Sequence, residues 1–178
     1  MSHVKILGKF DRTEELSADL FRLIDRASPL PNPSQISITG VSDDHEWDCS
    51  TKNKIKFNQR YFTVLHKSLK GTIFDELVQQ YPAYYRWRLL CIPGNNTYTV
   101  HDDGPGNRRI HFPIITNKDC FLCFYDSMPD HEKQNTVDHY HLETGTIYEI
   151  DSSGYHTAVN YGDADRWHLI GVRGPLIK

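Results

Sequence analysis

The sequence predicts a mainly β protein, an antiparallel double-sheet jelly roll whose N-terminal helices pack on one sheet. Three observations predict it. After residue 84, about eight short runs of alternating or apolar residues follow one another at near-regular spacing, each bounded by Gly, Pro, Asn or Asp. Eight antiparallel strands are what a double-sheet jelly roll contains. Before residue 84, apolar residues recur at helical spacing, and an antiparallel sheet leaves one face wet unless something covers it. The 178 residues suit one domain, with 1–83 as helical and extended support and 84–174 as the jelly-roll core.

The elements follow in order. Residues 4–10 read as a short edge strand. Residues 11–27 read as a helix with Asp11 or Thr13 as N-cap and Leu16, Leu20, Leu23 and Ile24 on one face. Ser28 and Pro29 end it, and the prolines of 29–33 make an extended connection that cannot be a central strand. Residues 36–41 alternate like a strand. The polar run 42–53 is a loop in which Trp47 is expected to dock. A second helical region covers 61–81, broken at Gly71, with Thr72 able to cap its latter part and Pro82 stopping it. The strands of the second half are 85–92, 97–101, 109–115, 120–125, 137–142, 146–150, 156–160 and 166–172.

Composition narrows the partners. The formal net charge is −3, with no basic cluster, so nucleic acid is not expected. No apolar run approaches the length needed to span a membrane, and the N-terminus lacks the apolar core of a secretory signal. Cys49, Cys91, Cys120 and Cys123 form no disulfide framework at this length, so a reducing, cytoplasmic setting is expected. Oligomeric state is not written in the sequence.

The chemistry concentrates in two stretches. His101-x-Asp103 ends an alternating run, and His156 follows another strand and turn, with Arg166 ten residues on. Residues i and i+2 of a strand point to one side. Two histidines and a carboxylate occupy one face of an octahedral Fe(II) ion and leave three positions open for a bidentate co-substrate and O2. Asp102 is the alternative carboxylate if the strand breaks early, and alternation favours Asp103. Arg166 offers a forked, permanently charged donor for a carboxylate.

These residues, with Arg109-Ile-His111 and Gly145-Thr-Ile-Tyr-Glu-Ile-Asp151, resemble the 2-oxoglutarate- and Fe(II)-dependent oxygenases, and within them the aspartyl/asparaginyl β-hydroxylase group, which includes small proline hydroxylases. The resemblance covers about residues 84–173. It implies a double-stranded β-helix (jelly roll, cupin-like), with Fe(II), 2-oxoglutarate and O2 as cofactor and co-substrates. It further implies hydroxylation of a free amino acid or of an Asp, Asn or Pro side chain in a peptide, with release of succinate and CO2. Residue by residue, it implies His101, Asp103 and His156 as metal ligands and Arg166 at the distal carboxylate of 2-oxoglutarate. Arg109 and His111 fall in an Arg-x-His segment that helps hold the co-substrate, and His168 shares the face of Arg166. No catalytic side chain beyond the metal ligands is implied. Two departures stand out. Aspartyl hydroxylases proper carry glycine where this chain has Asp103, and the interval from His101 to His111 is one residue shorter than in that group.

Other candidates read as structural. Cys120-x-x-Cys123 has no second pair and lies on a strand, where residues three apart face opposite ways, so core cysteines are expected. His139 and His141 share a face without a carboxylate partner, and are expected at the solvent or the pocket rim. Residues 85–88, Tyr-Arg-Trp-Arg, are candidates to line the pocket, and 128–135 to lie over the barrel mouth. The competing function is another metal cupin: an isomerase, a thiol dioxygenase or a sensor. Gly145…His156-x-x-x-Asn160 partly fits the second cupin motif, but the first, His-x-His, fails at Asp103.

Overall fold

A computed structural model describes residues 2–28, 34–49, 58–130 and 137–174. In order, the elements are β1 (Val4–Lys9), α1 (Thr13–Ala27), β2 (Gln35–Ser37), β3 (Thr39–Gly40), β4 (Val64–Leu65), α2 (Ile73–Gln80), β5 (Tyr85–Ile92), β6 (Asn96–Thr97), β7 (Arg108–Ile115), β8 (Cys120–Tyr125), β9 (Val137–Tyr140), β10 (Thr146–Asp151), β11 (His156–Asn160) and β12 (Arg166–Arg173). A six-stranded sheet runs β1-β10-β7-β12-β5-β2 and a four-stranded sheet β6-β11-β8-β9, with β3-β4 as a separate ladder. Every pairing is antiparallel. The fold is a double-stranded β-helix with helices on one sheet. Among the described residues no helix is long and apolar enough to cross a membrane.

Alternation divides the six-stranded sheet between two cores. Trp87, Leu89, Ile110, Phe112, Ile147 and Leu169 face outward and pack with Leu16, Leu20 and Leu23 of α1 and Ile73, Phe74 and Leu77 of α2. Ile92, Tyr148 and Ile150 face inward and meet Leu122, Phe124 and Ala158 of the smaller sheet. Side chains two apart on a strand share a face, so one sheet serves both cores without mixing them.

Several boundaries depart from expectation. The cap of α1 is Arg12, which makes no side-chain cap bond and instead donates to Glu15 and Glu76. Residues 61–81 are not one helix. Val64–Leu65 pairs with Thr39–Gly40, single 3-10 turns occupy Gln59–Tyr61 and Lys67–Leu69, and Gly71 takes φ 75°, so only 73–80 is α-helical. A left-handed residue is tolerated at glycine but ends regular helix. Thr72 sits at the cap position, but its hydroxyl donates back to the Leu69 carbonyl. The expected strand 36–41 is split into β2 and β3, and 97–101 shrinks to β6 plus a bridge at His101. Trp47 docks as expected, its ring 3.9 Å from that of His66. The connection at 29–33 lies outside the described residues, as do 50–53 of the polar loop and 131–135 of the barrel-mouth loop.

Candidate metal centre

The two stretches meet through backbone pairing. His101 and His156 form an isolated antiparallel bridge in which each N–H donates to the other's carbonyl, at 3.0 and 2.8 Å. Residues directly opposite in such a pair project to the same face. Their rings accordingly stand side by side, with centroids 4.5 Å apart. Asp103 is not on a regular strand. Its N–H donates to the Ser152 carbonyl at 3.0 Å, and this bond fixes it opposite the end of β10. Asp102 is turned away, its carboxylate accepting from the Gly104 N–H at 2.9 Å.

His101, Asp103 and His156 each offer one ligand atom, and these lie within 4.8 Å of one another. The hydrogen bonds fix the tautomers. Nδ1 of His101 is 2.8 Å from the Thr99 carbonyl, and Nδ1 of His156 is 2.8 Å from the Gly154 carbonyl. A carbonyl only accepts, so both Nδ1 atoms carry the proton and both Nε2 atoms present lone pairs. Those lone pairs face Asp103 at 3.9 Å from Oδ1 and 3.8 Å from Oδ2, too far for hydrogen bonds. Asp103 Oδ2 is buried with no hydrogen-bond partner among the described residues. Three lone-pair donors facing one another repel unless a cation lies among them. The donor set therefore fits a divalent metal, and two imidazoles with one carboxylate suit Fe(II) with open positions.

The electrostatics support ligation. Burial pushes the Asp103 carboxyl up, but the Arg109 charge, the neighbouring Ser152 hydroxyl and the two imidazoles outweigh it and hold the group below its ordinary range. Arg109 donates directly to Asp103 Oδ1. Burial lowers the His156 pKa, which keeps the ring neutral and its lone pair free.

A pocket runs inward from this cluster, lined by His101, Arg109, His111, His156 and Arg166 and by apolar groups such as Leu90, Leu122 and Ile170. Arg166 lies fully buried in it, and desolvation lowers its pKa to about 10. Its Nη2 donates to Nδ1 of His168 at 3.0 Å, so that nitrogen is unprotonated. His111 Nδ1 approaches the same atom at 3.4 Å. The Nε2 atoms of His111 and His168 are buried without partners among the described residues. Burial and the charge of Arg166 hold both rings far below the ordinary histidine pKa, and hence neutral. All seven residues singled out in the sequence thus line or adjoin one pocket. Arg109 sits at the His101–Asp103–His156 end, bonded to Asp103, while Arg166, with the neutral His168 accepting from it, forms a separate cationic site.

Other candidates behave structurally. Cys120 is buried and its thiol meets Asn160 Oδ1 at 3.1 Å; Cys123, on the opposite face, is half-buried, and both are free thiols. His139 packs edge-on to Phe121, and His141 bonds the Cys120 carbonyl at 2.9 Å. Asn160, the position that partly fits a cupin motif, donates to the carbonyls of Ile92 and Ala164 and ties strand ends together. Sequence reasoning missed Ser152, whose carbonyl anchors Asp103. A serine in a turn gives no sign that its backbone will be used.

No protein-family model matches the chain, and no curated protein matches it in sequence. Solved structures do match in shape. HygX from Streptomyces hygroscopicus with nickel and 2-oxoglutarate bound superposes with a TM-score of 0.56 at 10% identity, over 99% of this chain and 84% of that one. The non-heme monooxygenase ThoJ in its nickel complex gives 0.57 at 10% identity, over 96% and 72%. A prolyl hydroxylase from Trichoplax adhaerens, in complex with a hypoxia-inducible factor peptide fragment, gives 0.54 at 13% identity, over 97% and 84%. The chain shares its jelly-roll fold with these three proteins. The likeness is one of fold, and it does not single out the aspartyl/asparaginyl group that the sequence resembles.

Proposed function

We propose that this protein is a 2-oxoglutarate- and Fe(II)-dependent dioxygenase that hydroxylates an amino acid or an amino-acid side chain, releasing succinate and CO2. The observation that carries the reading is the pairing of two features in one pocket. Three convergent lone-pair donors stand at its mouth, and a buried guanidinium without a carboxylate partner among the described residues stands inside. When bound, Fe(II) supplies the redox chemistry that couples oxidative decarboxylation of 2-oxoglutarate by O2 to oxygen insertion into a C–H bond. His101 and His156 hold the metal through Nε2, and Asp103 holds it through its carboxylate, which Arg109 keeps ionised and oriented. Arg166 binds the distal carboxylate of 2-oxoglutarate, with His168 fixing the fork. Leu90, Leu122 and Ile170 exclude water from the chain between the two ends.

Anaerobic addition of Fe(II) and then 2-oxoglutarate to the metal-free protein tests this. A visible charge-transfer band of the chelate is expected, lost in His156→Ala. In Arg166→Ala the 2-oxoglutarate needed to develop the band should rise at least about tenfold, since truncating one partner of a buried charge pair costs on the order of 2–5 kcal/mol. Fe(II) bound without a band would overturn the co-substrate assignment, and no bound metal would overturn the centre itself.

A further inference from the structure

A second buried cation stands beside the ligand cluster, and among the described residues its Nε and Nη1 have no hydrogen-bond partner. This is Arg88, which lies on the barrel face of β5 and is only 4% exposed. Asp103, whose charge reaches it, is already bonded to Arg109. Burial and the like charges of Arg86 and Arg109 push the Arg88 pKa well down. Arg88 lines an open cleft together with Arg86, Tyr98, His101, Asp103 and Arg109. The cleft and the inner pocket share Tyr98, His101 and Arg109, so both open onto the ligand cluster.

The strand is locally rebuilt at this point. Ile170 pairs with Arg88 and Val172 with Tyr85, so Arg86 and Trp87 together oppose Gly171. Arg86 takes φ 50°, a left-handed conformation disfavoured for a side chain of its size. Such bulges are common beside active sites, where they re-aim side chains. Gly171 is required there, because a Cβ would meet the Trp87 ring at 2.9 Å. Arg86 has its own partner, donating from Nη1 to Gln59 at 2.9 Å. Arg88 has none.

2-Oxoglutarate has two carboxylates. In the reading above, one goes to the metal with the keto group and the other to Arg166. Neither is left for Arg88. We infer that Arg88 binds a carboxylate of the molecule being hydroxylated, so that the substrate carries a free carboxylate, as a free amino acid or an aspartyl side chain has. Calling that molecule the substrate rests on the proposed oxygenase reading; the anion site at Arg88 does not.

The probes are propionate and its neutral isostere propionamide, titrated at fixed ionic strength. In metal-free protein labelled with 15N-arginine, propionate should move the Arg88 Nε–H resonance saturably, and propionamide should leave it in place. In the anaerobic Fe(II)/2-oxoglutarate complex, propionate should raise the melting temperature. Arg88→Met should keep the chelate band and lose that response, and Arg88→Lys should bind propionate at least about tenfold more weakly than wild type. Removing an uncompensated charge should also raise the melting temperature of ligand-free Arg88→Met above wild type. An unmoved Arg88 resonance, equal effects of the two probes, or a propionate response surviving in Arg88→Met would overturn the inference. So would loss of the chelate band in Arg88→Met, which would give Arg88 to 2-oxoglutarate. Failure of Arg88→Met to fold would contradict the premise of an uncompensated charge, and Arg88→Lys would then carry the titration. A wild type without a chelate band would sink the oxygenase reading while the metal-free titration still decided the anion site.

Discussion

The two faces of the six-stranded sheet are made by the same strands and have opposite chemistry. On β5, β7 and β12, the residues facing the helices are Trp87, Leu89, Ile110, Phe112 and Leu169, all buried and apolar. Their immediate neighbours, facing the barrel, include Arg88, His111, Arg166 and His168, equally buried and polar or charged. The outer face packs against the two helices. The inner face keeps donors and acceptors without partners among the described residues: Arg88 Nε and Nη1, and the Nε2 atoms of both histidines. Buried polar groups left unsatisfied are costly, and their concentration on one face is expected where a ligand completes the bonding. Stability therefore resides chiefly on the helix side of the sheet and ligand recognition on the barrel side.

The largest effect should come from the outer face. Trp87 is fully buried, its Nε1–H donates to the Tyr84 carbonyl at 3.2 Å, and its ring packs near Phe112 with centroids 6.1 Å apart. Trp87→Ala should cost about 3–5 kcal/mol in urea unfolding, combining lost transfer energy with a residual cavity. The adjacent Arg88→Met should shift stability the other way. A loss under about 1 kcal/mol for Trp87→Ala would mean that the helix-side core does not dominate the fold.

The inner face should reveal itself through pH. His111 and His168 have folded pKa values depressed well below that of the unfolded chain, first by burial and then by the Arg166 charge. Below about pH 6.5 the unfolded chain takes up protons at these rings and the folded chain does not, so stability falls as pH drops. Two such groups give a slope of about 2.7 kcal/mol per pH unit between roughly pH 6 and 5, and His156, depressed in the same direction, adds to it. Urea unfolding of metal-free protein at pH 5, 6 and 8 measures this. His111→Leu should reduce the slope by about 1.4 kcal/mol per unit. An unchanged slope would show that His111 is protonated in the folded state.

Much of this division is legible in the sequence, and the omissions have physical causes. Strands with dense alternation, 85–92, 120–125 and 156–160, have the bounds that the pattern predicts. The stretch 61–72 looked helical because its apolar spacing fits, but spacing does not register the pairing of Val64–Leu65 with a distant strand or the left-handed Gly71. His101-x-Asp103 was recognisable from strand alternation, yet the structure brings the pair together by other means, a bridge to His156 and a bond to the Ser152 carbonyl. Arg88 was visible as a pocket-lining candidate. Its lack of a partner among the described residues is not legible in the sequence, because its cross-strand neighbours, Ile170 and Ser37, come from strands far away in the chain. Local pattern shows which residues share a face; only topology shows what they lack.

The smallest expected effect is the sharpest test of the two-face division. His111 is buried on β7 with one long contact to His168 and an unpartnered Nε2. Because His168 Nδ1 accepts from Arg166, the His111 Nδ1 approaching it carries the proton, and Nε2 is left as a bare acceptor in the pocket. His111→Leu removes an unsatisfied polar atom and fills similar space with an apolar one, so at pH 8 stability should change by less than about 1 kcal/mol in either direction. The chelate band should nevertheless need several-fold more 2-oxoglutarate, because the rings supporting the Arg166 fork have been altered. A loss of about 3 kcal/mol or more, as for a core truncation, would place His111 with Trp87 among the residues that hold the fold. An unchanged requirement for 2-oxoglutarate would remove His111 from the co-substrate site and leave Arg166 and His168 to hold it alone.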